Sequence, residues 1–304
     1  MRLSADNLFL LSQCAVAAAY QAGQVIANHS SREVAVQTKQ GGTSLAAQVV
    51  TEVDHLSQEV ILQNLLPTCA MFDLALLTEE SPDDRERLNK DFFWCIDPLD
   101  GTLPFIEQVP GYSVSIALVG RDGTPQIGVV YDPVARTLYR AVKGRGLSRS
   151  GQNIEAAAVS PPSSGRKATF ITDKSFARDP LYQTVSGELE RLAKDLGYAG
   201  SELVLQGGAA MNACRVLDKA PACYFKFPKP QQGGGSIWDY AATACLFNEA
   251  GLPVSDSRGR PFELNPSGST FMNHCGVLFA SDSDLAGRMV DLHNRLMSKG
   301  GVSS

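Results

Sequence analysis

The sequence predicts a mixed fold, an α+β first half followed by an α/β second half, and three patterns carry that reading. Tyr112–Val119, Gln126–Tyr131 and Thr137–Val142 are β-favouring runs separated by Arg121-Asp122-Gly123 and Asp132-Pro133, the pattern of an antiparallel meander. Beyond Gly165, short apolar runs alternate with helical patterns, as α/β domains do. The amino-terminal segment instead repeats its apolar residues at helical spacing.

In order, Leu8, Leu11, Ala15, Ala18 and Ile26 trace one face of a first helix, with Ser4 placed to cap it. Gln13, Gln21 and Gln24 interrupt the Ala-rich run, which reads as an amphipathic packing helix and not a targeting segment. Val53, Leu56 and Val60 continue at helical spacing after Thr51-x-x-Asp54, a pair that resembles a helix-capping box. Leu74–Leu77 is an apolar segment ending on Thr78-Glu79-Glu80-Ser81, and Phe92–Ile96 is an aromatic, β-favouring run expected to be a buried strand. Ser160-Pro161-Pro162-Ser163-Ser164-Gly165 is linker-like and places a domain boundary near residue 155, giving units 1–155 and 156–304. After it come a strand at Ala168–Thr172, helices over 181–196 and 209–217, and an apolar run at Cys223–Phe227. A helix follows from Ile237 to Ala250, stopped by Gly251, then a strand at Cys275–Ala280 and a last helix through Met289, Leu292 and Leu296.

Composition narrows the function. A chain of 304 residues can bury a large core, and a net charge of −5 argues against binding a nucleic-acid backbone, which needs a basic face. Seven cysteines lie dispersed without a Cys-x-x-Cys pair, reading as reduced thiols in a cytoplasmic protein. The four histidines show no His-Glu-x-x-His spacing, and neither a Gly-x-Ser-x-Gly elbow nor a Walker loop occurs.

The chemistry concentrates at Asp97-Pro98-Leu99-Asp100-Gly101-Thr102, where two carboxylates stand three residues apart at the end of an apolar run. Pro98 and Gly101 favour a tight turn, so Asp97, Asp100 and a backbone carbonyl can converge on a hard cation such as magnesium. Amides after Asp100 could face an anion if a helix begins there. Such a turn can also be merely solvated. Glu79-Glu80-Ser81-Pro82-Asp83-Asp84 reads equally as an acidic surface loop, Asp239 as the acid of a helix first turn, and Asp54 as a cap.

Taken together, the carboxylate-pair turn, Glu79-Glu80-Ser81, Thr51-x-x-Asp54 and Trp238-Asp239-x-Ala-Ala resemble the inositol monophosphatase family of magnesium-dependent, lithium-sensitive phosphatases, in that family's order. The resemblance implies a layered αβαβα sugar-phosphatase fold with its site between two domains, and a homodimer. It makes Glu79, Asp97, the Leu99 carbonyl, Asp100 and Asp239 ligands for roughly two or three magnesium ions, with Asp100 bridging. It makes Asp54 and Thr102 the pair that orients the attacking water, with Glu79 also catalytic, and gives phosphate oxygens to the Gly101 and Thr102 amides. Gly207, Gly208, Ala209 and Gln232 are the implied substrate contacts. Gly207-Gly208-Ala209 reads equally as a plain helix start.

The implied reaction is hydrolysis of a small phosphorylated metabolite by metal-activated water, with inositol monophosphate favoured. A 3′(2′),5′-bisphosphate nucleotidase acting on 3′-phosphoadenosine 5′-phosphate is the alternative, and a catalytically silent binding or regulatory protein is another. No nucleic-acid polymer or membrane is expected as partner. Departures concern the substrate side. Gln231-Gln232 stands where the family often has Glu, Leu103-Pro104-Phe105 lacks the nucleotidases' Lys-Glu-Phe although Ile237-Trp238-Asp239 resembles that branch, and Glu52 replaces a small residue at the end of an unusual segment, Lys39 to Thr51. Lys226, Lys229 and Gly233-Gly234-Gly235 suggest a mobile basic rim for a second phosphate, or solvated lysines.

Overall fold

The computed structural model describes residues 3–30, 45–154, 165–231, 233 and 235–300, with backbone alone for 45–51, 299 and 300. The segment 39–44, the stretch 155–164 with the expected boundary, Gln232 and the side chain of Thr51 lie outside the described residues.

Ser4 caps α1 (Ala5–Ser30) as its sequence suggests: its hydroxyl accepts the Asn7 amide at 3.1 Å, and Asn7 Oδ1 accepts the Ser4 amide at 3.0 Å. By length and composition α1 could span a membrane, yet its apolar stripe of Leu11, Ala15, Ala18, Ala22 and Ile26 is fully buried. It packs on α2 (Leu45–Phe72) and the first sheet. That sheet follows chain order: β1 (Ala75–Thr78), β2 (Phe92–Asp100), β3 (Ser113–Gly120), β4 (Pro125–Asp132), β5 (Thr137–Val142), β6 (Leu147–Arg149) and β7 (Gln152–Ile154). Only β1 and β2 pair in parallel; the rest is an antiparallel meander, extended by a hairpin beyond the expected strands. A short helix, α3 (Thr102–Ile106), follows β2.

The second sheet has the order β11-β12-β10-β8-β9, from β8 (Ala168–Asp173), β9 (Ser201–Gln206), β10 (Ala222–Lys226), β11 (Val254–Ser255) and β12 (Val277–Ala280). Strands β8, β9 and β10 are parallel, so their carboxyl ends share one edge. The strand β9 is absent from the sequence expectation because Ser201-Glu202-Leu203-Val204-Leu205-Gln206 is short and half-buried. Helices α4 (Tyr182–Asp195), α5 (Ala209–Asp218), α6 (Ile237–Ala250) and α7 (Ser283–Gly300) are the remaining α-helices among the described residues.

Alternating side chains sort these elements into five layers. On β2, Trp94 and Ile96 join the core beneath α1 and α2, while Phe93 and Cys95 join a central core with α5 and α6. On β10, Ala222 and Tyr224 face that same central core, and Cys223 and Phe225 face an outer core with α4 and α7. Period-two alternation with both faces covered is what a doubly packed sheet requires. The fold is therefore the layered αβαβα arrangement expected, with α5 and α6 between the sheets.

Candidate active site

A bulge in β2 makes the site. Asp97 pairs with Ser115 and Asp100 with Ser113, so the interval holds one residue more on β2 than on β3. Pro98 has no amide to give the ladder, and bulges are where sheets accept proline. Without the extra residue, side chains three apart would point to opposite faces. With it, Leu99 turns into the core under α1 and α2, while Asp97 and Asp100 both face the α5–α6 layer. The Asp97 carboxylate accepts the Leu99 amide at 3.0 Å, and Ser57 on α2 donates to the Pro98 carbonyl at 2.7 Å. The expected tight turn is thus a bulged strand, completed by Gly101 at φ 90° and the start of α3.

Three other elements close on that face. Glu79 follows β1, and its amide extends the ladder to the Ile96 carbonyl at 3.1 Å, which sets it beside Asp97. Asp239 lies in the first turn of α6, where it accepts the Ser236 amide in a capping box and also reaches Asp97. Asp239 is thus both the acid of a helix first turn and a neighbour of the other carboxylates. The amides of Ala209 and Ala210, at the start of α5, donate to the two oxygens of Asp100 at 2.9 and 2.8 Å. Oxygens of Asp97, Asp100 and Asp239 lie within 4.8 Å of one another. Asp97 touches Glu79 on one side and Asp239 on the other.

Such crowding is costly for anions. Burial, then the charges of Glu79, Asp100 and Asp239, raise Asp97 well above the carboxylate range. Asp100 is pushed up to about 8 by burial and Asp239, against the two amides that favour its charged form. Burial and Asp239 raise Glu79 to about 7, although its side chain keeps a solvent-exposed face on the cleft. Asp239 is also raised by burial, offset in part by the Ser236 amide and Lys226. Carboxylates held together against this repulsion, offering only oxygen donors, fit hard divalent cations.

Asp54 is buried on α2 and raised to about 8 by burial, Glu80 and Glu79. Since α2 begins at Leu45, Thr51 and Asp54 lie inside the helix, and the capping-box reading fails. Thr102 stands exposed at the start of α3 and makes no hydrogen bond to Asp54. His55 is an exposed helix residue 3.9 Å from Glu80.

The cluster opens into a cleft of about 560 Å³ whose lining includes Glu79, Asp100, Gly101, Gly207, Gly208, Ala209 and Asp239. The glycines let backbone pack closely. A Cβ on Gly101 would meet the Gly111 carbonyl oxygen at 2.8 Å and Gly208 Cα at 3.0 Å, one on Gly208 (φ 78°) would drive into the same carbonyl, and one on Gly207 would meet the Pro104 ring at 2.6 Å. Three backbone segments touch here, fixing α3 against α5. Of the two lysines of the expected rim, Lys226 ends β10, with its side chain 14% exposed and its ammonium 2.6 Å from Asp173, and the backbone of Lys229 is bonded to Asn273, its amide donating to the Asn273 carbonyl and its carbonyl accepting from the Asn273 side-chain amide. Asp173, Lys174 and Ser175 also line the cleft and escaped sequence reading, since no motif marks them. Their one signal is position, the carboxyl end of a parallel strand.

A model of the "Inositol monophosphatase family" matches residues 9–296. The chain belongs to the inositol monophosphatase family. Among curated relatives, it is 30% identical to human "Inositol monophosphatase 2" over 276 residues, 90% of this chain and 87% of that one. It is 31% identical to "Nus factor SuhB" of Escherichia coli K12 over 245 residues, covering 81% and 84%. Among solved structures, the inositol monophosphatase of Anabaena superposes with a TM-score of 0.66 at 25% identity, covering 94% of this chain and 97% of that one. The inositol monophosphatase II of Staphylococcus aureus reaches 0.71 at 21% identity, covering 93% and 94%, and supports the fold.

Proposed function

We propose that this member of the family is a magnesium-dependent phosphomonoesterase acting on a small phosphorylated polyol, with inositol monophosphate as the favoured substrate. The observation that carries the reading is the meeting of Asp97, Asp100 and Asp239 within 4.8 Å on one face, with Asp100, Asp239 and Glu79 lining a cleft. Glu79, Asp97, the Leu99 carbonyl, Asp100 and Asp239 would hold the ions. Bound magnesium would polarise the phosphoryl group and lower the pKa of a water.

The chain's own residues do the rest. The amides of Ala209 and Ala210 hold the Asp100 carboxylate in one orientation, and the capping box does the same for Asp239. Gly101 and Thr102 lead into α3, where the first amides of a helix have no internal acceptors and can take phosphate oxygens. Asp54, on the Glu79–Glu80 side of the cluster, and the Thr102 hydroxyl would orient the nucleophile opposite the leaving alkoxide. Lithium sensitivity, a cytoplasmic setting and a homodimer belong to the same proposal.

The test is phosphate release from inositol 1-phosphate and 3′-phosphoadenosine 5′-phosphate with magnesium, with chelator, and with magnesium plus lithium. Turnover that needs magnesium and falls with lithium is expected. Turnover indifferent to chelator, or none with either ester, would overturn it. A second reading, a regulatory protein acting through macromolecular contacts, is favoured by one observation, the name Nus factor carried by the Escherichia coli relative. The complete carboxylate set favours catalysis.

A further inference from the structure

The cleft wall facing the carboxylates is built from the carboxyl ends of β8, β9 and β10, and two charged residues there have no part in the proposed hydrolysis. Tyr224 pairs with Ile171 across β10 and β8, so two residues on, Lys226 and Asp173 meet at the sheet edge. Both project to the central layer, as Tyr224 and Ile171 do, and both line the cleft. Lys226 Nζ lies 2.6 Å from Asp173 Oδ2 and 5.9 Å from the centre of the Tyr240 ring, while Tyr224 donates a long 3.4 Å bond to the other Asp173 oxygen. The side chains remain 14% and 27% exposed.

Resting on the phosphatase reading, we propose that Lys226 and Asp173 form a hydroxyl-reading clamp that selects a polyhydroxylated monophosphate and rejects a substrate with a second phosphate. An ammonium and a carboxylate side by side offer a donor and an acceptor to neighbouring hydroxyls of a ring whose phosphate sits at the carboxylate cluster. They bring no net positive charge. The other lysine of the cleft, Lys174, is already held by both oxygens of Glu107 at 2.6 and 2.7 Å. Apart from the carboxylates that would hold magnesium, the charged side chains lining the cleft are Asp173, Lys174 and Lys226, and both lysines are in ion pairs. A second phosphate would thus meet lysines that are already paired, whereas hydroxyls need neither pair to break.

The test compares kcat/KM, under magnesium, for inositol 1-phosphate, cyclohexyl phosphate, which keeps ring and phosphate without the other hydroxyls, and 3′-phosphoadenosine 5′-phosphate. Wild type, Asp173→Asn and Lys226→Met are assayed, with circular dichroism to check folding. The wild type is expected to favour inositol 1-phosphate over cyclohexyl phosphate by at least about a hundredfold, because a site built to bond hydroxyls rejects an analogue lacking them. That preference is expected to shrink at least tenfold in each variant. Should Lys226→Met misfold, the isosteric Asp173→Asn decides. An unchanged preference in a folded, active variant overturns the clamp and leaves the phosphatase reading standing, as does a wild type that prefers the bisphosphate. Absence of magnesium-dependent release from all three esters by the wild type overturns both.

Discussion

Replacing Gly101 with alanine tests the packing that holds the site together, and Gly144 supplies an internal control. Both glycines have positive φ, 90° and 74°, so alanine costs backbone energy at either position, about 1–2 kcal/mol. Around Gly144 a Cβ would meet nothing within 4 Å. At Gly101 it would meet the Gly111 carbonyl oxygen at 2.8 Å and the Cα atoms of Gly208 and Tyr112 at 3.0 Å, all backbone. Overpacking that cannot be relieved by a side-chain rotation adds about 1–3 kcal/mol. Gly144→Ala therefore costs roughly 1–2 kcal/mol and Gly101→Ala roughly 2–5 kcal/mol. At about 2 °C per kcal/mol for a chain of this size, Tm falls by roughly 2–4 °C and 4–10 °C. The assay is thermal unfolding of protein stripped of divalent cations, since bound metal would add its own stabilisation. Turnover of inositol 1-phosphate is measured alongside, because relieving the contact at Gly101 shifts α3 against the α5 amides that hold Asp100. Equal losses of Tm in the two variants, or full turnover by Gly101→Ala, would refute the reasoning.

Asp100→Asn keeps one oxygen for the α5 amides and turns an NH₂ toward the other, so it loses a metal-binding charge and orientation together. Turnover should fall at least about a thousandfold, matching the several kcal/mol that metal ions supply, and undiminished magnesium-dependent activity would sink the assignment. Thr102→Ala should lower kcat more than it raises KM; a change confined to KM contradicts the role given to its hydroxyl. Metal-free stability should depend on pH. Asp54 and Asp100 sit at about 8 and Glu79 at about 7 in the folded state, above ordinary carboxylates, so the folded chain holds protons that the unfolded one has released. Their contribution is complete below about pH 4 and lost as pH rises through about 8, so Tm in chelator should fall across that window and the gain on adding magnesium should grow. A magnesium-induced gain that is constant from pH 5.5 to 8 would contradict this.

How much of the site was legible is clearest at particular residues. Asp97, Asp100 and Asp239 stand out because short motifs carry them, and the structure brings all three together. The bulge that lets Asp97 and Asp100 share a face was invisible, since a motif records spacing and not ladder register. Gly208 read either as open backbone for a ligand or as a plain helix start, and its close approach to the Gly111 carbonyl was visible in neither reading. Lys226 read as a flexible rim residue because glycines follow it, yet strand pairing with β8 sets it against Asp173.

Sequence by itself determined the helices, the meander and the identity of the clustered acids, because apolar period, turn residues and short motifs are local properties written along the chain. Tertiary structure decided how the acids come to share one face, which glycines leave no room for a side chain and what faces the carboxylates across the cleft. Those facts arise where β1, β2, α5, α6 and the ends of β8 and β10 converge, and convergence of distant segments is set by packing in the central layer, which no single stretch of residues specifies.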